Sequence, residues 1–321
     1  MIRFSHGVAS SAGRVRRVNE DSYIAIPPLY AVADGMGGHG SGDVASRLAV
    51  EALVRCARLR PLFVEAVLAS LEEANRVIIA CGDANRMATT VTGLAGLETA
   101  SAGDHLMVFN VGDSRVYRLA DDRVEQLTVD HSEVQELVLA GVITREQART
   151  HPRRNIVTRG LGSAPVLLID HWLLPAIEGD RFLVCSDGLF GELPDEVILS
   201  LLAVGSPQHA AEALVAAAND AGGHDNVTVV VVDIGPPGGA RLDETTMPYE
   251  QQPEEPRRPE PRRPGGPIRP AAPRDPGVQG GTGGTGSPGE FSGPAGQGGG
   301  ASRPPADAGL AGLGLIGPDP T

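Results

Sequence analysis

LYAVADGMGG, residues Leu29–Gly38, sets a mostly apolar run against an abrupt stop. Leu29 to Ala33 has the length and composition of a short buried strand. It ends at Asp34-Gly35, and Met36-Gly37-Gly38 follow, where the backbone can turn sharply and come close to a ligand. A carboxylate at the end of a buried strand, beside a glycine, is well placed to hold a hard metal ion. Asp-Gly is also among the commonest turn dipeptides, so on this stretch alone both readings stand open.

The flanking sequence supplies the frame. Ser5–Ser11 reads as an edge strand and Ser22–Ile26 as a strand leading through Pro27-Pro28 into the apolar run. After the glycines, Ser41 or Asp43 can cap a helix whose Ala45, Leu48, Ala49, Ala52, Leu53 and Cys56 share one face. Pro61 opens a second helix, with Val64, Val67, Leu68, Leu71, Ala74 and Ile78 inward. Thr89–Leu97 and His105–Asn110 read as strands, and Val116–Leu119 with Val124–Leu127 as a hairpin about Asp121-Asp122. Helical segments at His131–Ala140 and Thr144–Thr150 precede strands at Val166–Leu174 and Arg181–Cys185. Helices at Pro194–Ala203 and His209–Ala221 lead to a last, apolar strand, Val227–Ile234. Helices grouped between runs of hairpin-linked strands predict an α+β fold with antiparallel sheets.

Composition divides the chain. Eight of the 26 prolines precede Gly235 and 18 follow it, in segments such as RRPEPRRPGGPIRP and GGTGGTGSPGE. Such sequence buries too little apolar surface to offset its ordering entropy, which predicts a folded domain over residues 1–235 and a disordered Pro/Gly/Arg-rich tail over 236–321. Of the 40 acids and 27 basic residues, 30 and 19 fall in the first 235 positions. An acidic domain argues against nucleic acid as a partner and suits sites for cations. Every basic residue is arginine, which excludes Schiff-base chemistry and a P-loop lysine. Cys56, Cys81 and Cys185 are scattered and odd in number, as expected of reduced thiols in a cytoplasmic protein. No signal core and no bilayer-length apolar run is present, so no transmembrane helix and no membrane insertion are expected.

Five further acids share the setting of Asp34. Glu20 and Asp21 close NED before a strand, and Asp113 lies between two strands in NVGDSR. Asp187 ends the apolar run of FLVCSDGL as Asp34 ends its own, and Asp225 opens the last strand in GGHDNVTVVVV. Singly, each is more often a cap or turn residue. Strands of one sheet bring their ends together, however, and clustered carboxylates repel one another unless a cation neutralises them. Oxygen-only ligands fit Mg2+ or Mn2+, and the absence of His or Cys spacing argues against zinc. Arg16, five residues before Asp21, is either a planar fork for two phosphate oxygens or a solvated arginine beside Arg14 and Arg17.

RxxNED at Arg16–Asp21, VADGMGGHGSGDVAS at Val32–Ser46 and VGDSRVYRL at Val111–Leu119 stand in this order. They are followed by TVDHSEVQELVLAGVITREQA at Thr128–Ala148, NIVTRGLG at Asn155–Gly162, CSDGL at Cys185–Leu189 and GGHDNVTVVVV at Gly222–Val232. On these motifs the chain resembles the metal-dependent (type 2C, PPM) protein serine/threonine phosphatases in their bacterial form. The resemblance implies a four-layer α-β-β-α sandwich of two antiparallel sheets flanked by helices, with metals in a cleft at one end. It implies Asp21, Asp34, the Gly35 carbonyl, Asp187 and Asp225 as ligands of two core Mn2+ or Mg2+ ions, and Asp113 with Asp187 at a third. Glu20 would hold metal-bound water, Arg16 would bind the substrate phosphate, and Arg16, Asp34 and Asp187 would carry catalysis. Asn155–Gly162 corresponds to a mobile flap beside the cleft.

The implied reaction is hydrolysis of phosphoserine and phosphothreonine by direct in-line attack of a water activated by the dinuclear centre, without a phosphoenzyme. Eukaryotic relatives carry His after the Asp-Gly where this chain has Met36. A metal-bound water is then the expected proton donor, and nearby His39 is expected to be solvent-exposed. Ser11 and Ala88 replace the usual Asp and Gly, neither at a ligand position. The alternative is a pseudophosphatase that binds through the same cleft without turnover. Expected partners are phosphorylated proteins, among them serine/threonine protein kinases and their substrates, acted on by a monomer, with no nucleic acid.

Overall fold

Strand β11 (Val227–Gly235) shows how the molecule is layered. Val230, Val232 and Ile234 pack in a cluster between two sheets, while Val227, Val229 and Val231 face helices on the outside. A strand buried on both faces needs no polar alternation, which is why this run reads as continuously apolar. The computed structural model describes residues 3–37, 41–82, 87–97, 105–120 and 123–236. The expected tail beyond Pro236, the turn at Asp121-Asp122 and His39 lie outside the described residues.

With elements numbered in chain order, the first sheet runs β1 (Arg3–Ser11), β11, β10 (Arg181–Cys185), β7 (Arg115–Ala120), β8 (Arg123–Gln126). The second runs β2 (Asp21–Ile26), β3 (Leu29–Met36), β5 (Val91–Leu97), β6 (His105–Val111), β9 (Asp170–Pro175), with the short β4 (Ala88–Thr89) paired to β3. Every pairing is antiparallel. β1 is an edge strand, as expected.

Between the sheets lie Tyr30, Val32, Leu94, Leu106, Val108, Val116, Phe182 and Val184. On the far side of the second sheet, Leu29, Ala31 and Ala33 of β3 meet α1 (Ser41–Ala57) and α2 (Val64–Cys81) through Ala45, Ala49, Leu53, Leu71 and Ile78. The alternation along β3 is thus between two apolar layers, not between core and water. On the far side of the first sheet sit α5 (Asp187–Phe190), α6 (Asp195–Leu202) and α7 (Pro207–Ala221), packing Leu189, Ile198 and Leu214. The result is the α-β-β-α sandwich that the resemblance implies. Two small helices, α3 (Glu133–Leu139) and α4 (Arg145–Arg149), lie on the connection between β8 and β9. Ser132 caps α3, and Thr144 with Gln147 forms a capping box on α4.

Some boundaries differ from the sequence reading. The strand expected from Val166 begins only at Asp170. Val166 and Leu168 are 76% and 61% exposed, so their apolar character marks surface rather than a ladder. α2 begins at Val64 rather than Pro61, and α7 begins at Pro207, where the hydroxyl of Ser206 accepts from the His209 N–H. α5, at Asp187 itself, is a helix the sequence reading lacks.

Candidate active site

One end of the sandwich gathers the acids. Asp21 and Asp34 are direct cross-strand partners, at the start of β2 and near the end of β3. Asp187 follows β10 and Asp225 precedes β11, neighbours in the other sheet. Asp113 lies where the chain crosses from β6 of one sheet to β7 of the other. A cleft of about 450 Å³ is lined by Asp34, Asp113, Asp187 and Asp225 together with Arg16, Glu20, Gly35 and Met36. Asp21 lies just behind it. Asn155 and Val157, on the segment expected to be a flap, also line it. The far end of that segment is pinned, because Leu161 and Thr89 exchange backbone hydrogen bonds of 2.8 and 3.0 Å.

The glycine beside Asp34 is required by packing. A Cβ on Gly35 would lie 2.2 Å from the Gly42 carbonyl oxygen and 2.6 Å from that of Glu20, so only glycine lets the first turn of α1 close against β3. Ser46 of α1 donates to the Glu20 carbonyl at 2.6 Å and fixes the same junction. Thr90 holds Asp34 by its backbone: the Asp34 N–H donates to the Thr90 hydroxyl at 3.0 Å, and the Thr90 N–H to the Asp34 carbonyl at 2.9 Å.

Several positioning residues lie within the quoted motifs but receive no role in the sequence reading. Asn226 donates from its amide nitrogen to the carbonyls of Ala12 and Val18, at 3.1 and 3.0 Å, and accepts the Glu20 N–H at 2.8 Å. It thereby ties the Arg16–Asp21 loop to β11. Its place directly after Asp225 was the available clue. Ser186 donates to Asp21 Oδ2 at 2.7 Å and accepts the Thr228 N–H at 2.9 Å, linking the two sheets. His131, buried behind Asp113, accepts the Gly112 N–H on Nδ1 at 3.0 Å. Its Nε2 lies 3.1 Å from both Asp170 Oδ2 and the Arg159 guanidinium. Arg115 makes a paired contact with Asp130, at 2.9 and 2.6 Å, and stacks 3.6 Å over the Phe190 ring of α5.

The electrostatics are those of acids crowded out of water. Burial, reinforced by Asp187 and Asp225, pushes Asp21 up to about 7. Burial, then Asp225, pushes Asp187 to about 6, against the pull of a hydrogen bond from Asp34 and of Arg16 and Arg115. Asp34 and Asp113 stand well above the carboxylate range through burial and neighbouring acids. Glu20 is raised by burial and by Asp43. Arg16 is bound to Asp225 at 2.7 Å, a hydrogen bond that holds its guanidinium charged.

Asp21 Oδ1 is buried without a hydrogen-bond partner, an arrangement that costs free energy unless something cationic or protic meets it. The donor set is all hard oxygen. Divalent Mn2+ or Mg2+ fits it on both counts. Among the described residues no three acidic, His or Cys side chains converge at direct ligand spacing. A hard ion here would also draw on the Gly35 carbonyl and on water. Met36 lines the cleft and has no proton to give. The described residues contain no helix long and apolar enough to cross a membrane.

Comparison with known proteins gives one answer. A family model described as "Protein phosphatase 2C" matches residues 17–218. The chain is 39% identical over 238 residues to the serine/threonine protein phosphatase PstP of Mycobacterium tuberculosis, covering 71% of this chain but 45% of PstP. It thus spans less than half the length of that relative. It is 37% identical over 237 residues to the serine/threonine phosphatase stp of Listeria innocua, covering 69% of this chain and 92% of stp. A crystal structure of the PstP catalytic domain in complex with two manganese ions superposes with a TM-score of 0.67 at 36% identity, covering 74% of this chain and all of that one.

Proposed function

Because the chain belongs to the protein phosphatase 2C family, we propose that it is a metal-dependent phosphatase of phosphoserine and phosphothreonine in proteins. The observation that carries this reading is the set of buried carboxylates at the joined ends of two sheets, with an orphaned oxygen on Asp21 and an arginine at the mouth. The relatives' names and the manganese-bound PstP structure support it. In this reading residues 1–235 are the catalytic domain and 236–321 an appended tail. The protein works as a monomer in the cytoplasm, on phosphoproteins that include serine/threonine kinases and their substrates.

The proposed roles follow the chemistry of each group. Asp21, Asp34, the Gly35 carbonyl, Asp187 and Asp225 hold two Mn2+ or Mg2+ ions, and Asp113 with Asp187 serves a third. Such ions, when bound, act as Lewis acids and lower the pKa of water. Arg16 exchanges one oxyanion for another, leaving the Asp225 carboxylate for the substrate phosphate, which its planar fork fits equally well. Glu20, partly buried beside the cleft, accepts hydrogen bonds from water there. Ser186 and Asn226 keep Asp21 and the Arg16 loop in register with the other sheet. Met36 cannot protonate the departing serine or threonine oxygen, so that proton comes from water in the cleft. No observation favours a cleft that binds without turnover.

The test is a titration of Mn2+ and Mg2+ against hydrolysis of a phosphothreonine peptide and of p-nitrophenyl phosphate. Both reactions should stop in EDTA and fall by on the order of a thousandfold in Asp187→Asn. Undiminished turnover in either condition would refute the assignment.

A further inference from the structure

Arg17 lies on the wall of the acid-lined cleft, next to Arg16. The arginines around it are engaged: Arg14 with Asp220 at 2.5 Å and Arg16 with Asp225 at 2.7 Å. Arg17 is exposed and has neither hydrogen bond nor ion pair to any of the described residues. In a domain with 30 acids and 19 basic residues, a guanidinium left unpaired beside a ring of carboxylates is not a by-product of general basicity.

Nor is its position loose. The loop is fastened on one side by the Arg14 N–H to the Gly223 carbonyl at 2.7 Å, and on the other by Asn226 to the Val18 carbonyl at 3.0 Å. Arg17 sits between these anchors, so its charge is presented from a fixed base. Val15, Val18 and Ile156 are exposed around the same loop and the facing flap, offering apolar surface to a peptide chain. Asn155 and Val157 line the same cleft.

With the carboxylates taken up by metal ions, a preorganised cation at the mouth attracts an anionic group on a bound peptide. We infer that Arg17 is a specificity-determining residue that binds an anionic group adjoining the phosphorylated residue, so that acidic phosphopeptides are the preferred substrates. The inference rests on the phosphatase reading and goes beyond it to the class of substrate. The shared chemistry is an oxyanion, supplied either by a Glu or Asp side chain or by a second phosphate.

The experiment compares kcat/KM, with Mn2+ present, for three phosphothreonine peptides of one parent sequence. They carry Gln on both sides of the phosphothreonine, Glu on both sides, or a second phosphothreonine alongside. The wild-type protein should prefer the Glu peptide to the Gln peptide about three- to fivefold, the scale of an exposed ion pair, and the preference should fade at about 0.5 M salt. Arg17→Ala should bring the ratio near one, and Arg17→Glu should invert it. Because the ratio is taken within each variant, any change in chemistry or folding cancels. The diphosphorylated peptide decides whether phosphate is read better than carboxylate.

A wild-type ratio near one, or a ratio unmoved in both variants, would overturn the inference. Metal-dependent turnover of p-nitrophenyl phosphate in that same wild-type preparation would leave the phosphatase reading standing. Its absence would remove both.

Discussion

Asp34-Gly35 and Asp187-Gly188 look alike in sequence, each an apolar strand stopped by the same dipeptide, yet the fold uses them differently. Asp34 and Gly35 remain inside β3, which continues to Met36, whereas Asp187 and Gly188 begin the helical turn α5. Both glycines are dictated by a close backbone approach: a Cβ would stand 2.2 Å from the Gly42 oxygen at Gly35, and 2.0 Å from the Asn226 oxygen at Gly188. The electrical surroundings diverge more. Burial and four acids, Asp21, Asp187, Asp113 and Asp225, all push Asp34 upward. Asp187 is raised by burial and Asp225 but relieved by a hydrogen bond from Asp34 and by Arg16 and Arg115. Asp34 is therefore the more strongly raised of the two. Two identical dipeptides make an unequal pair because Arg16 and Arg115 relieve Asp187, while the groups acting on Asp34 are all acids.

The largest effect that could break this comparison is on metal affinity. Asp34 has only acids for company, so a cation relieves more repulsion there than at Asp187. Asp34→Asn should weaken Mn2+ binding by more than the 10–100-fold typical of losing an outer partner, by at least about 100-fold, and by more than Asp187→Asn does. Titration calorimetry of the purified variants measures both. Equal losses would erase the distinction.

How much of this was legible beforehand follows from the kind of signal each feature leaves. The apolar runs of β3, β10 and β11 are buried on both faces, so composition alone located them. The acids at their ends were conspicuous because each interrupts such a run. Partnership across the sandwich leaves no such mark. Ser186 and Asn226 are ordinary polar residues in sequence, and only the meeting of β2, β10 and β11 gives them Asp21, Val18 and Glu20 to hold. The strand expected from Val166 failed for a related reason. Alternating Val166 and Leu168 imitate a half-buried ladder, but the neighbouring strand β6 pairs only from Asn110↔Asp170 onward, leaving them on the surface. α5 is one turn long, too short for any periodicity to reveal.

A second, intermediate effect is on stability against pH in the metal-free protein. An unfolded aspartate titrates near 3.9, whereas Asp187 and Asp21 stand at about 6 and about 7 in the fold. The native state then binds more protons than the unfolded one between these values, so stability falls as pH rises through that window. In EDTA, thermal unfolding should move to lower temperature from pH 5 to pH 8, and Mn2+ should restore most at the alkaline end. Asp187→Asn should remove its share of the decline only up to about pH 6, whereas Asp34→Asn should flatten the decline across that range and beyond it. A flat profile for the wild-type protein, or the same flattening from both variants, would contradict the inequality between the two sites.

The smallest effect tests the link between the two ends. Ser186 stands immediately before Asp187 at the end of the first sheet, yet its hydroxyl serves Asp21 of the second, while the same oxygen accepts the Thr228 N–H. Its hydrogen bond is one of the few influences that lower the pKa of Asp21. Ser186→Ala removes the donor and strands a buried N–H, which should cost about 1–3 kcal/mol of stability by denaturant unfolding. It should also move Asp21 further up, so that Mn2+ binding requires a higher pH than in the wild-type protein, while Ser186→Thr, which keeps the hydroxyl, shifts it less. If stability drops without any change in the pH dependence of metal binding, then Ser186 only packs the sheets together, and the unequal aspartates are set by burial and charge alone.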